Sequence, residues 1–582
     1  MSEKQGRIVS IGKQSFKKLR ERKLFYIDKT SFIREWWESE DDITLIARPR
    51  RFGKTLNIRM LESFFSVEYK DRADLFEGLE IWKHEKYHKL QGAIPVISLT
   101  FSSMKNATFQ GFLTRIKDVI VAEYKSKKYL LEGDVLDEGE RKYFLSINDA
   151  MVNNFMTQEI VETSISKLCT WLKRYHGISP IVLLDEYDAP MQEAWAHGYW
   201  DEMCTFMRSF MNETFKANHA ISRGLLTGVT VVSKESIFSG LNNINVVTTM
   251  SNEYETCFGF TEGEVFAALD EMGMNDRCQE VKMWYDGFRF GKVEGIYNPW
   301  SVTCYLKKQQ VGLYWANTAS TDLIDELTKE GDKNLKDDML CLLKGEAIEV
   351  SYDDQTDFRH LSATSDSVWN LLLATGYLKI VKDPANLGKV GPGRTRCLMQ
   401  LNNLETHELF ETLVHGWFND RNVSVQYNEF VRCLLNTDIK GMQRFLNEVS
   451  LYSFSFFDVG GKNGTRQNES EMAAPERFYH GFVLGLLVEL KGRYELTSNR
   501  ESGFGRYDVM LKPLNDTDPA YVLEFKALDK EFDEKTLEDT LQAAKDQIKE
   551  RNYAASLETA GIERDRIHQL GIAFQGKKCI VG

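Results

Sequence analysis

Residues 43–65 constrain this chain more than any other segment. They run from a short apolar block, ITLIA (43–47), through Arg48-Pro49-Arg50-Arg51-Phe52-Gly53-Lys54-Thr55, and into LNIRMLESFF (56–65). Apolar residues recur at helical spacing in that last stretch, whereas the first block suits a buried strand entering a loop. Strand, loop and helix in that order are the layout of a phosphate-binding loop. Such a loop needs backbone N–H groups and a helix N-terminus facing the phosphates, a lysine for the β and γ oxygens, and a hydroxyl for Mg2+. Gly53, Lys54 and Thr55 supply the end of that pattern, and Arg51, Phe52 and Leu56 flank it as further nucleotide-contacting positions. Arg48 stands where the first glycine of G-x-x-x-x-G-K-[ST] belongs, so the strict pattern fails.

A second signal follows about 130 residues on. The run 181–184 (IVLL) leads into Asp185-Glu186, four buried-type residues ending in two acids. At the tip of such a strand Asp185 is expected on the Mg2+ shell and Glu186 near the attacking water. The plainer reading is a buried strand with solvated acids at its end. Thr230 closes the next strand, 224–232 (GLLTGVTVV), as either a γ-phosphate sensor or an ordinary strand-end threonine. With 95–101 (PVISLTF) as another strand and long amphipathic stretches between, residues 1–240 read as βαβ units on a parallel sheet.

The rest of the chain divides by composition. Residues 241–330 carry the aromatic clusters WYDGFRFG (284–291) and YNPWS (297–301), read as packing for an accessory subdomain. Residues 331–460 read as mainly helical, including SVWNLLLATGYLKI (367–380), with a Gly/Lys/Pro break at 388–394. The polar stretch 460–471 is the best linker. Residues 474–582 form a second α/β unit: a helix near 474–490, strands near 506–511 and 521–525, a charged helix near 534–555, and a last strand near 569–574.

Composition narrows the function classes. With 42% apolar and 27% charged residues the chain is not largely disordered. Its 73 Lys and Arg against 86 Asp and Glu leave −13, which argues against coating nucleic acid through bulk charge. A local basic groove is still allowed. Residues 1–29 hold nine Lys/Arg against three acids, a local +6, readable as a solvated helical face or as a phosphate-binding surface. The nine cysteines are scattered without a C-x-x-C pair, which suggests reduced thiols and no structural zinc. The polar, basic N-terminus and the lack of a long apolar run predict a cytoplasmic protein with no membrane association.

The C-terminal unit carries its own constellation. Asp508 lies in GRYDVM (505–510), and Glu524 and Lys526 in YVLEFK (521–526). Strand periodicity puts Glu524 and Lys526 on one face, with Leu523 and Phe525 on the other. If the two strands are antiparallel, Asp508 meets that polar face. Two carboxylates offer hard oxygen ligands for Mg2+, with Mn2+ an alternative, and the lysine can orient a water or neutralise charge on a scissile phosphate. Alternating charge on an amphipathic strand is the competing reading. The histidines form no triad with a Ser or Cys nucleophile.

FYIDKTSFI (25–33), RPRRFGKTL (48–56), IVLLDEYDAP (181–190), SKESIFSGLNN (233–243), FGFTEGEV (258–265) and WYDGF (284–288) together resemble the AAA-ATPase-like proteins of prokaryotes, over roughly residues 8–320. These proteins commonly end in a PD-(D/E)XK nuclease domain, and residues 476–553 resemble that domain. The resemblance implies an ASCE-type P-loop fold, ATP as the nucleotide, and Arg48 as a family habit. It implies that Gln547 assists at the nuclease site, beside Tyr553, and that Glu476 or His480 approaches the metal. Relatives carry a basic residue near Val231, so the resemblance identifies no charge-stabilising arginine in this chain.

The resulting expectation is an ATP-binding and ATP-hydrolysing, Mg2+-dependent nuclease acting on nucleic acid, DNA before RNA, with the nucleotide gating cleavage. Asp508, Glu524, Lys526, Glu186 and Gln547 are its catalytic set. Asp508 and Glu524 hold one metal; Thr55 and Asp185 hold the nucleotide's Mg2+. The alternative is an NTP-dependent switch whose C-terminal domain binds nucleic acid or protein without cutting. Homo-oligomerisation is compatible with either.

Overall fold

Ile43–Ala47 (β1) is buried at every residue, as a strand covered on both faces by helices must be. In the computed structural model it is followed by α1 (Lys54–Phe65) and shares a sheet with β2 (Val96–Thr100), β3 (Ile181–Asp185), β4 (Arg223–Gly228) and β5 (Ile244–Val247). The order is β2-β3-β4-β1-β5, and every pairing is parallel. One strand, β4, therefore separates the phosphate-loop strand from the strand that ends in Asp185. The helix α2 (Ala189–Ala196) follows β3 directly. Ile58, Met60, Leu61, Phe64 and Phe65 of α1 pack with Ile46, Ile181, Leu183, Leu225 and Val247 in one apolar cluster. The parallel sheet expected for residues 1–240 is thus present, with β5 added from the stretch read as less regular.

The structure describes residues 6–148, 156–232, 237–238, 240–316, 333–343, 345–352, 365–382, 389–391, 394–419, 424–453, 483–484, 487, 490, 492–498, 501–502, 505–506, 508–515, 517–528, 536–575 and 578–582. The segment 233–236, the stretch 460–471, most of the expected helix 474–490, and Glu476 and His480 lie outside the described residues. Two compact units emerge: residues 1–321 with 347–408, and residues 322–346 with 409–582. Among the described residues no helix is long and apolar enough to cross a membrane.

The first unit continues beyond the parallel sheet. β6 (Phe260–Thr261), β7 (Phe288–Phe290) and β8 (Val293–Tyr297) form a small antiparallel sheet in the order β6-β8-β7. Between them α3 (Glu262–Glu271) starts at a capping box of Thr261 and Glu264. After β8, α4 (Pro299–Lys308) begins with Pro at its first turn and the Asn298 side chain accepting from the Trp300 and Ser301 amides. Phe288 and Phe290 of β7 and Tyr297 of β8 come from these aromatic clusters.

The region read as mainly helical also holds an antiparallel sheet. β9 (Ile348–Tyr352), β10 (Leu378–Lys382) and β11 (Lys389–Gly391) each pair with β12 (Arg394–Leu401). The helix α5 (Ser365–Thr375) stops at Gly376, whose φ of +93° no L side chain adopts easily. The run 367–380 is thus a helix followed by a strand. A Cβ on Gly376 would lie 2.8 Å from Pro49 Cβ, so this turn presses against the phosphate loop. α6 (Leu404–Asn419) follows β12.

In the second unit α7 (Ser424–Leu435) and α8 (Ile439–Ser453) precede a five-stranded mixed sheet. Its strands are β13 (Tyr494–Ser498), β16 (Val509–Pro513), β17 (Ala520–Ala527), β18 (Ile567–Gln575) and β19 (Lys578–Val581), in that order; β14 (Glu501–Ser502) and β15 (Gly505–Arg506) form a separate hairpin. β17 and β18 are parallel, and the other pairings are antiparallel. α9 (Leu537–Glu550) opens on a capping box of Thr536 and Asp539. Leu523 and Phe525 join a cluster with residues of α7 and α8. Ala520 and Val522 join another with Ile548, Tyr553 and Leu557. The two faces of β17 thus have different neighbours, and its even-numbered residues face α9.

Candidate active sites

The first candidate site lies where β1, β3 and β4 end side by side, the crevice where open parallel sheets bind ligands. Gly53 begins α1 in a left-handed conformation, φ +85°, and nothing lies within 4 Å of where its Cβ would be. Only glycine leaves that opening at the helix N-terminus clear, and this fits phosphate. Lys54 is buried, and its Nζ donates to the carbonyls of Arg48 and Pro49, both at 2.7 Å. Burial pushes its ammonium down to about 8, against the pull of Asp188, Asp185 and Glu186. Thr55 and Leu56 are half-buried beside it.

The other side of the crevice is acidic. Asp185 is buried and accepts from Thr227 Oγ1 at 2.6 Å. Glu186 has φ +56°, a conformation uncommon outside glycine. Its carboxyl is raised by burial and by Asp185. Asp185 and the Thr55 hydroxyl are hard oxygen donors suited to Mg2+. Thr230 is fully buried, and its hydroxyl donates to Asp188 Oδ2 at 2.9 Å; that oxygen also accepts from the amides of Thr230 and Val229 at 2.8 and 2.9 Å.

Phe52 and Arg48 serve the core around the loop. The Phe52 ring is buried edge-on against Phe288, with centroids 4.7 Å apart. The Arg48 guanidinium has no solvent exposure; it donates to the carbonyls of Ala47, Thr248 and Glu253 and lies 4.6 Å from the Phe290 ring centroid. Burial pushes it down to about 10. A side chain this enclosed cannot reach an external phosphate. Arg51 is exposed and lies 4.2 Å from the Trp300 ring centroid.

Part of the N-terminal basic run is tied to the rest of the unit. Arg7 pairs with Glu271 at 2.6 Å, Arg20 donates to the carbonyls of Leu75 and Glu77, and Lys29 pairs with Glu264 at 2.6 Å. Asp28 accepts from Thr30 and from the Glu80 amide. Segments 25–33 and 258–265 are therefore fastened to one another. Behind the loop, Glu405 accepts from Ser301 Oγ at 2.7 Å and from the Trp315 amide at 2.6 Å, and Trp315 packs at a tilt against Tyr377 with centroids 4.9 Å apart.

The second candidate site is on β17. Antiparallel register pairs Val509 with Leu523, Met510 with Val522 and Leu511 with Tyr521, so Asp508 stands opposite Glu524. Both are buried, and Asp508 Oδ2 accepts from the Phe525 amide at 2.8 Å. Gln547 reaches from α9 to donate to Glu524 Oε1 and, at 3.1 Å, to the Tyr553 hydroxyl. Burial and Glu524 push that phenol up to about 12. Lys526 is two residues on along the same face, half-buried. Among the described residues no group of three or more His, Cys, Asp or Glu could hold a metal. Two carboxylates nevertheless suit Mg2+, which keeps several waters and takes substrate phosphates as its remaining ligands.

Sequence reasoning missed three residues: Thr227, which orients Asp185; Asp188; and Gln192, whose Nε2 donates to Asp188 at 3.2 Å. Asp188 had a signal in the third acid of IVLLDEYDAP, but Asp-Ala-Pro before a helix reads as an N-cap. Its side chain caps no helix amide.

Comparison with known proteins agrees with both halves. Residues 10–238 match the AAA-ATPase-like family described as "Predicted AAA-ATPase". Residues 474–582 match the PD-(D/E)XK nuclease superfamily. The chain therefore pairs an N-terminal AAA-ATPase-like domain with a C-terminal PD-(D/E)XK superfamily domain. It is 26% identical, over 98% of its length and 97% of the relative's, to an uncharacterized protein in vnfD 5'region of Azotobacter chroococcum mcd 1. A solved STAND protein with a tetratricopeptide repeat sensor, from Pyrococcus horikoshii, aligns at 10% identity and a TM-score of 0.23. That alignment covers 84% of this chain and 63% of the other.

Proposed function

We propose that the protein is a nucleotide-regulated, Mg2+-dependent nuclease that cleaves phosphodiester bonds, DNA first among its substrates. The observation that carries this reading is the placing of Asp508, just before β16, opposite Glu524 of β17, with Lys526 on the same face and Gln547 holding the Glu524 carboxylate. A bare ion-binding strand would not need that lysine beside two carboxylates.

In the C-terminal unit Asp508 and Glu524 would hold the metal, which when bound polarises the phosphate and lowers the pKa of a water. Lys526 offsets charge developing on the scissile phosphate, and Gln547 keeps Glu524 turned toward the metal. In the N-terminal unit Lys54 pairs with the β and γ oxygens of ATP, and Thr55 and Asp185 hold its Mg2+. Glu186 accepts the proton of the attacking water, and a carboxyl raised by burial is suited to that work. Nucleotide occupancy of the first unit then gates cleavage by the second.

The test is cleavage of plasmid and of single- and double-stranded DNA and RNA, with and without Mg2+ and ATP. Lys526→Ala should abolish metal-dependent cleavage and keep nucleotide binding. Lys54→Ala should lose nucleotide binding and the response of cleavage to ATP. Full cleavage by the Lys526 variant would remove the nuclease assignment.

A further inference from the structure

We propose that Arg50, carried in the phosphate loop itself, is the arginine that reads the γ-phosphate of a bound nucleoside triphosphate, and that Gln192 positions it. The inference rests on the nucleotide-binding reading above and goes beyond it, because neither the motifs nor the resemblance names such an arginine.

The loop carries three arginines, and each is engaged differently. Arg48 is enclosed among carbonyls, and Arg51 lies over Trp300. Arg50 is half-buried and turns toward the acidic side of the crevice. Its Nη2 donates to Gln192 Oε1 at 3.1 Å, on the helix that follows Asp185 and Glu186. Its main chain is held independently, since its carbonyl accepts from Trp315 Nε1 at 3.1 Å and Asn298 Nδ2 at 3.4 Å. A side chain can swing from such a fixed backbone without moving the loop. Arg50 also lies close enough to Lys54 and Glu186 to act on both electrostatically.

Gln192 is held in turn by Asp188, through the oxygen that also takes the Val229 and Thr230 amides. One hydrogen-bonded chain therefore connects the guanidinium, α2 and the end of β4. A guanidinium suits phosphate oxygens because its planar fork offers two parallel donors. An arginine supplied in cis is a known way to offset charge on a transferring phosphoryl group. Val231 and Thr230 offer no substitute, since one is apolar and the other donates to Asp188.

The experiment measures affinity of the full chain with Mg2+ for ADP, ATPγS and ADP–aluminium fluoride, by calorimetry. Arg50→Ala should leave ADP affinity within about twofold and weaken ATPγS by at least about tenfold, the scale of one charge-assisted pair. The loss for ADP–aluminium fluoride should be larger, and Arg50→Lys should recover part of it. Gln192→Ala should lower the ATPγS-to-ADP preference, and so should Gln192→Glu, which keeps the acceptor for Arg50 but loses the donor that Asp188 holds. An equal loss of ADP and ATPγS in Arg50→Ala, or an unchanged ratio, would overturn the proposal. Wild-type protein that binds none of the three would instead overturn the nucleotide-binding reading.

Discussion

Asp188 and Thr230 are joined twice: one carboxylate oxygen accepts from the amide at 2.8 Å and from the hydroxyl at 2.9 Å. Both residues are buried. Asp188→Ala would leave these donors and the Val229 amide without an acceptor, at a cost of about 3–5 kcal/mol. Asp188→Asn keeps one acceptor oxygen and should cost less than half as much. Urea titration of the two variants checks the order, and equal losses would show that the charge matters rather than the hydrogen bonds.

Arg48→Gly would restore the strict phosphate-loop pattern and yet should weaken the protein. It removes the donors to three carbonyls and the cation over Phe290, so a loss on the order of 3 kcal/mol is expected. Nucleotide affinity should fall with it. A gain in either quantity, read by thermal unfolding and nucleotide titration, would refute this account of Arg48.

Gly376→Ala tests the contact behind the loop. The position has φ +93°, and the added methyl would meet Pro49 Cβ at 2.8 Å and Phe288 Cε1 at 3.0 Å. A cost of about 1–3 kcal/mol follows from backbone strain and overpacking. Because Pro49 also supplies a carbonyl to Lys54, nucleotide affinity should drop in the same variant. Calorimetric titration with ATPγS reads this directly.

At the proposed nuclease site, Asp508→Ala and Glu524→Ala should each lower Mg2+-dependent cleavage at least about 100-fold. Gln547→Ala removes the group that holds the Glu524 carboxylate and should cost about 10- to 100-fold, with metal affinity falling in step. Single-turnover cleavage across a Mg2+ series separates the two. A Gln547 variant with unchanged metal dependence would deny it this role.

Glu123 predicts a pH dependence. It lies 3.5 Å from Lys127, which also pairs with Glu68, and burial raises its carboxyl from the ordinary 4.5 to about 7. The folded state therefore holds a proton that the unfolded chain releases. Its stabilising contribution is complete below about pH 4.5 and disappears as pH rises through about 7. Relative to Glu123→Gln, the wild type should lose up to about 3 kcal/mol between those limits. A flat difference between their stabilities across pH 5–8 would contradict it.

β1 and β3 are legible because strands buried on both faces read as short, largely apolar runs. β5 is not, since INVV (244–247) is only four residues long and three of them are half-exposed. β10 is hidden for another reason. LLLATGYLKI stays apolar through Gly376, and periodicity alone cannot tell a helix that ends there from one that continues. In the sites, Lys54, Asp185 and Glu524 are marked by their immediate neighbours in sequence. Thr227, Asp188 and Gln192 act through partners that folding brings together, such as Thr227 and Asp185, 42 positions apart. No local pattern announces such a pair.

The contact of Gly376 with Pro49, and the hold of Glu405 on Trp315, bear on how this protein can be dissected. The family match to the ATPase-like domain ends at residue 238, yet the chain that backs the phosphate loop runs on to Glu405. A fragment cut at 238, or even at 320, would strip Pro49 of its neighbour and leave Trp315 absent or without Tyr377. A piece that keeps these contacts has to reach past Glu405. Homology marks the ancestry of this domain; its packing sets where a biochemist can cut.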